Sequence, residues 1–142
     1  MINFSDQEIF KAGSDPKKLD ENQCNTLDLF ASMLKEDYNK KIYVVLLFNG
    51  LTSGDHASPE HKEGKATDFI IVNKSGKHLD AKKVCHYMAL AGFRGIGAYY
   101  NGLAWSFHGD TGDRIRSWFW DKRDKNKIKK LSLFNTFLSG AI

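Results

Sequence analysis

His61, Asp68 and His108 are the residues of this chain whose types and spacing could do chemistry. The first two stand in His61-Lys-Glu-Gly64-Lys-Ala66-Thr-Asp68, the third in Phe107-His108-Gly109-Asp110. Two imidazoles and one carboxylate form a ligand set that holds a catalytic Zn2+ ion, one per chain, while a fourth tetrahedral position is left for water. The chemistry of such a site is metal-assisted hydrolysis, because the ion polarises a carbonyl and lowers the pKa of its water towards about 7.

Spacing dictates the elements that must present these groups. On a helix, His61 and Asp68 would be separated by about 10.5 Å along the axis, too far for two groups that must each come within about 2.2 Å of one ion. The chain therefore turns between them, and Gly64, which tolerates φ > 0, supplies the reversal. Thr67 to Val72 is β-branched and apolar, which predicts a buried strand with Asp68 near its start and His61 on the preceding loop. Leu103 to Phe107 alternates well enough to predict a neighbouring strand that delivers His108 at its end, so that the ligands meet across a sheet.

Other elements follow from periodicity and punctuation. Asp15-Pro16 has the form of an N-cap with proline at the first helical position, and Leu27, Ala31, Leu34 and Tyr38 then recur at helical spacing, predicting an amphipathic helix that ends near Asn39-Lys40-Lys41. Ile42 to Leu51 is a nearly continuous apolar run, which predicts a central strand buried on both faces and leading into the Ser53-to-His61 loop. Asp80 can cap a second helix with Ala81, Val84, Cys85, Met88 and Ala91 on its apolar face and Gly92 at its end. Trp118, Phe119 and Trp120 read as core packing. The charge run from Asp121 to Lys130, followed by Leu131, Phe134, Phe137 and Leu138, reads as a solvated turn leading into a docked helix, with a basic amphipathic element on an anionic surface as the alternative.

With these residues placed, the chain resembles a known family. The pattern His-x-x-Gly-x-Ala-x-Asp with a downstream His-x-Asp is similar to the zinc D,D-peptidases and L,D-peptidases of the M15 type, which share their fold with the hedgehog signalling domain. Ser53-Gly54 with Ser58-Pro59, Gly92-Phe-Arg-Gly95-Ile96-Gly97-Ala-Tyr99-Tyr100, His108-Gly-Asp110-Thr111-Gly112 and Arg116-Ser-Trp118 resemble further segments of that family, in the same order, from about Val44 to Trp120. The resemblance implies peptidoglycan stem or cross-link peptides as substrate, with a D-amino acid near the cut bond; Ser53, Asp55 and Tyr99 are candidate substrate contacts. The fold class expected is α+β: one domain over residues 1–142, a mainly antiparallel central sheet packed against helices, the zinc site on the sheet face, and residues 121–142 a basic C-terminal tail or docked helix.

The chain also departs from that family. Asp55-His56 stands where relatives have Tyr-Arg, and Trp105 stands three residues before the last histidine, where many carry an acidic general base. A hydrolase still needs a group that takes a proton from water and returns it to the leaving amine. Asp110, Glu60, Glu63 and His56 are the local candidates, Asp110 first because it accompanies the last ligand in the family; its alternative role is that of an outer carboxylate orienting a ligand. Arg114 and Arg116 follow His108 closely, and the planar guanidinium fork of either could replace the missing clamp on a substrate carboxylate.

Composition sets looser bounds. A length of 142 residues suits one core, and a formal net charge of +4 favours anionic surroundings without naming one. Cys24 and Cys85 fit no zinc or redox spacing and read as buried small hydrophobes; His78 and His86 read as surface residues. The amino terminus lacks the pattern of a signal peptide, and no stretch approaches the roughly 18 apolar residues of a membrane span. The expectation is a monomeric zinc metallopeptidase of endolysin type, cytoplasmic when made, phage- or prophage-encoded, and acting on the cell wall after release. The alternative is a non-catalytic zinc-stabilised binding domain of the same fold. A nucleic-acid surface built from the basic tail and the aromatic trio is a weaker third reading, so no specific nucleic-acid partner is expected.

Overall fold

Asp20 sets the start of the first helix. Its Oδ2 accepts the backbone N–H of Asn22 at 3.1 Å, satisfying one orphan donor of the first turn, and its carbonyl accepts the N–H of Cys24 at 2.9 Å, the first intrahelical bond. The helix, α1, spans Glu21–Asp37 and buries Leu27, Phe30, Ala31 and Leu34 at the spacing of one face. The protein is represented by a computed structural model that describes residues 19–37, 42–46, 60, 63–73, 75, 79, 81–121 and 129–130. Asp15-Pro16 and Tyr38 lie outside the described residues.

Among the described residues, six strands form one sheet: β1 (Ile42–Leu46), β2 (Ala66–Asn73), β3 (Gly95–Tyr100), β4 (Trp105–Asp110), β5 (Arg116–Asp121) and β6 (Lys129–Lys130), in the order β1-β2-β4-β3-β5-β6. Every neighbouring pair is antiparallel except β3 and β5, which run parallel. The expected α+β class and mainly antiparallel sheet are therefore observed. β1 differs from expectation: among the described residues it is a terminal strand of this sheet, paired with β2. An apolar run reports burial and says nothing about how many neighbours a strand has. The charge run after Asp121 ends in β6, which pairs with Trp118 and Phe119 at the other edge, while residues 122–128 and 131–142 lie outside the described residues.

The second helix, α2 (Ala81–Ala91), buries Ala81, Val84, Cys85, Met88 and Ala91, the face read from the sequence. It ends at Gly92, whose φ of 103° is open to glycine, with the N–H of Phe93 closing onto the Met88 carbonyl at 3.2 Å. α1 and α2 pack on one face of the sheet. Side chains alternate along each strand, so Phe69 and Ile71 of β2, Ile96 and Ala98 of β3 and Phe107 of β4 join Phe30, Leu34, Val84 and Met88 in a single core. Phe69 sits 5.4 Å from Phe30 and 6.0 Å from Phe107, centroid to centroid. Each of these fully buried rings stabilises the fold by about 1.5–3 kcal/mol relative to exposure. Among the described residues no helix is long and apolar enough to cross a membrane.

Candidate functional site

The strand residues that alternate with the core point to the opposite face of the sheet, and there the register sets the chemistry. Asp68 of β2 pairs with His108 of β4, His108 with Gly97 of β3, and Gly97 with Trp118 of β5, a single row across four strands. The next row on that face is Ala66, Asp110, Gly95 and Arg116. Two glycines leave the room these side chains need. A Cβ at Gly97 would lie 2.4 Å from the Trp118 indole, and one at Gly95 would lie 1.9 Å from the Asp110 carboxylate. With no side chain at 97, the indole crosses β3 and meets the His108 ring at a centroid distance of 4.9 Å.

His108 is held at both nitrogens. Its Nδ1 lies 3.1 Å from Asp68 Oδ1 and its Nε2 lies 2.8 Å from Asp110 Oδ2, with the residue 4% exposed. Burial opposes the charged ring, yet the hydrogen bonds and charges of Asp110 and Asp68 outweigh it and raise the His108 pKa above the usual imidazole value. For Asp110, burial acts upwards, but His108, the Gly112 N–H and Arg116 together lower its pKa below the usual carboxylate value. A neutral imidazole carries a single N–H, so it satisfies one carboxylate and turns a lone pair towards the other. Two flanking carboxylates therefore call for a cation: a second proton on the ring, or a metal ion between Nδ1 and Asp68. Donors of a tetrahedral zinc ion stand about 3.4 Å from one another. The observed 3.1 Å separation of the two atoms is close to that value, so the pair fits such an ion.

Asp110 heads the proton-transfer candidates, but its surroundings match the alternative role, that of an orienting carboxylate. It is 0% exposed; Oδ1 accepts the Gly112 N–H at 3.0 Å, and Oδ2 accepts both His108 and Arg116, the latter at 3.3 Å. Every oxygen is thus engaged by a donor fixed in the fold. Arg116 also pairs with Glu60 at 3.2 Å and lies 5.2 Å from the Trp118 ring centroid. The guanidinium expected to clamp a substrate is engaged by two internal carboxylates, while Arg114 is exposed on the connection between β4 and β5. Glu60, the residue that immediately precedes His61, belongs to this cluster through Arg116; Glu63 is exposed and pairs with Lys65 at 3.4 Å. Tyr99 shares the face, its hydroxyl oxygen accepting the indole N–H of Trp118. Burial and the charge of Asp68 push its phenol pKa up, against the Trp118 hydrogen bond.

Asp68, His108, Asp110, Glu60, Tyr99 and Arg116 are thus gathered on one sheet face. His61, Ser53, Asp55 and His56 lie outside the described residues. Among the described residues no group of three or more His, Cys, Asp and Glu side chains forms a metal cage; Asp68 and His108 are two donors of the expected three. Gly64, with φ of 73°, makes the expected reversal before β2.

Three features correct or extend the sequence reading. Trp118, partly buried against the core as expected, also packs beside His108 on the site face. Trp105, an odd number of residues from His108 in a regular strand, packs against Tyr100 and Phe119, so an acid at that position would leave the sheet on the side away from the cluster. Gln23 of α1 is fully buried behind the cluster and bonds to the strands that carry it. Its sole signal in the sequence is a polar residue three positions after a capping aspartate. Comparison of the chain with protein-family models, with curated proteins and with solved structures found no match.

Proposed function

We propose that this chain is a zinc metallopeptidase that hydrolyses peptidoglycan stem or cross-link peptides, with His61, Asp68 and His108 holding the ion. The observation that carries the reading is the setting of His108, with Asp68 at 3.1 Å from Nδ1 and a saturated, buried Asp110 at 2.8 Å from Nε2. Such an outer carboxylate fixes the tautomer of a metal-binding imidazole, because it accepts a hydrogen bond from Nε2–H and leaves the Nδ1 lone pair for the ion. Bound there, zinc would supply Lewis-acid polarisation of a peptide carbonyl and lower the pKa of a water.

The chain's own residues do the rest. His108, the Gly112 N–H and Arg116 together hold the Asp110 pKa below the usual carboxylate value, and Trp118 packs against the imidazole. Tyr99, anchored by the Trp118 indole, stands on the same face. The resemblance to the M15-type peptidases supplies the substrate class, and action on the cell wall by a phage- or prophage-encoded lysis enzyme belongs to the same proposal. One equivalent of zinc added to the purified protein should give a preparation that clears a peptidoglycan suspension and releases new amino groups; His61→Ala, Asp68→Asn and His108→Ala should each abolish this. Activity that survives thorough chelation, or a wild-type protein that takes up no stoichiometric metal, contradicts the reading.

One observation favours a second reading, a zinc-stabilised domain that binds wall peptides without cutting them. Position 105 is a tryptophan facing away from the cluster, so β4 offers no acid there for proton transfer. Stoichiometric zinc and retention of muropeptides without new amino groups would select this reading over hydrolysis.

A further inference from the structure

Gln23 is 0% exposed, in the first turn of α1, and its amide makes three hydrogen bonds. Nε2 donates to Thr67 Oγ1 at 3.2 Å and to the Gly109 carbonyl at 3.0 Å, and Oε1 accepts the Thr111 hydroxyl at 3.0 Å. Each partner is the chain neighbour of a cluster residue: Thr67 precedes Asp68, Gly109 lies between His108 and Asp110, and Thr111 follows Asp110. Thr67 and Gly109 are paired directly in the β2–β4 ladder, so one amide spans the two strands whose next side chains, on the other face, are Asp68 and His108. The helix turn that carries it is itself fastened, with the Asp20 N–H bonded to the Gly64 carbonyl at 2.9 Å.

An apolar side chain of similar length would fill this volume without burying an amide, so packing alone gives no reason for glutamine here. An amide with all three bonds made adds direction and a fixed separation between the groups it joins. We propose that Gln23 is a positioning residue, which sets from behind the sheet the separation of Asp68 and His108 and the placement of Asp110 for binding a divalent cation. The inference rests on the reading that this cluster holds such an ion.

Zinc affinity, measured by competition with a chromophoric chelator, and the visible spectrum of the Co2+-substituted protein test it. Gln23→Met keeps the length and removes the bonds; zinc binding should weaken about 10- to 100-fold, the usual effect of losing an outer partner, and the cobalt bands should shift. Thr111→Val removes one bond and should weaken binding roughly 2- to 10-fold. Ala31→Gly, on the core face of the same helix, should lower Tm while leaving zinc affinity and cobalt spectrum as in the wild type. Wild-type affinity and spectrum in Gln23→Met, or in Thr111→Val should the first variant not fold, overturn the inference. So does an Ala31→Gly effect as large as that of Gln23→Met, which would reduce the role to general stability. A wild-type protein that takes up neither zinc nor cobalt overturns the metal reading and the inference together.

Discussion

Asp110→Asn changes one atom in the most heavily used acceptor of the cluster and leaves its volume almost unchanged. The carboxylate accepts from the Gly112 N–H at 3.0 Å, from His108 Nε2 at 2.8 Å and from Arg116 at 3.3 Å, all inside a residue that is 0% exposed. An asparagine keeps one acceptor oxygen and must turn an NH2 group either at the Gly112 N–H or at His108 and Arg116. Either rotamer buries a donor against a donor. A hydrogen bond to a charged group contributes about 1.5–3 kcal/mol, so the variant should lose on the order of 2 kcal/mol of stability, or roughly 5–10 °C in Tm for a chain of this size. Zinc affinity should fall about 10- to 100-fold, equivalent to about 1.4–2.7 kcal/mol, because the imidazole is no longer held in the tautomer that offers Nδ1. Chelator competition and thermal unfolding of metal-free protein measure the two effects separately. Zinc affinity within twofold of wild type, in a protein that binds one ion, would refute the assignment of Asp110 as the orienting carboxylate.

The metal-free protein should be stable over a window bounded by two titrations. The pKa of His108 is raised above 6.5 in the folded state, so its ion pairs contribute fully below that value and are lost as pH rises through the folded pKa. The pKa of Asp110 is lowered below 3.8, so its contribution is present above that value and is lost as pH falls through the depressed one. Tm of chelator-treated protein should therefore decline on the alkaline side, and zinc should remove that decline by taking the place of the Nδ1 proton; an alkaline limb unaffected by zinc contradicts this. Gly97→Ala would set a Cβ 2.4 Å from the Trp118 indole, so the ring must tilt away from His108 at a cost of about 1–3 kcal/mol. A lowered Tm with altered tryptophan emission is expected, and unchanged values would remove the His108–Trp118 contact from the account. Arg116→Met leaves the Glu60 and Asp110 carboxylates without the cation between them and should cost about 1 kcal/mol after allowance for its partial exposure, whereas Arg114→Ala should leave Tm unchanged. Equal losses in the two variants would argue against the internal role of Arg116.

Local periodicity carried much of this fold in readable form. The α2 face from Ala81 to Ala91, the stop at Gly92, the reversal at Gly64 and the strand containing Asp68 are each set by neighbouring residues, through side-chain spacing or the φ freedom of glycine. His108 and Asp68 were recognisable by type and spacing, and Asp110 as their companion. Their mutual arrangement was not. Sliding β2 against β4 by one residue would send Asp68 to the helix face, so the 3.1 Å contact exists because the ladder pairs residue 68 with 108 and no other. The same rule took Trp118 to His108: β5 lies parallel to β3 with Gly97 opposite residue 118, a partnership between segments that no local pattern encodes. Gln23 was hidden for a related reason, since a polar residue on a mostly polar helix turn reads as solvated until the backs of two strands are placed against it. Composition and local pattern determined the element types, the core faces and the kinds of donor available. Long-range strand register alone decided which donors meet, because hydrogen-bonded pairing joins residues about 40 apart whose relative position no short stretch of chain can specify.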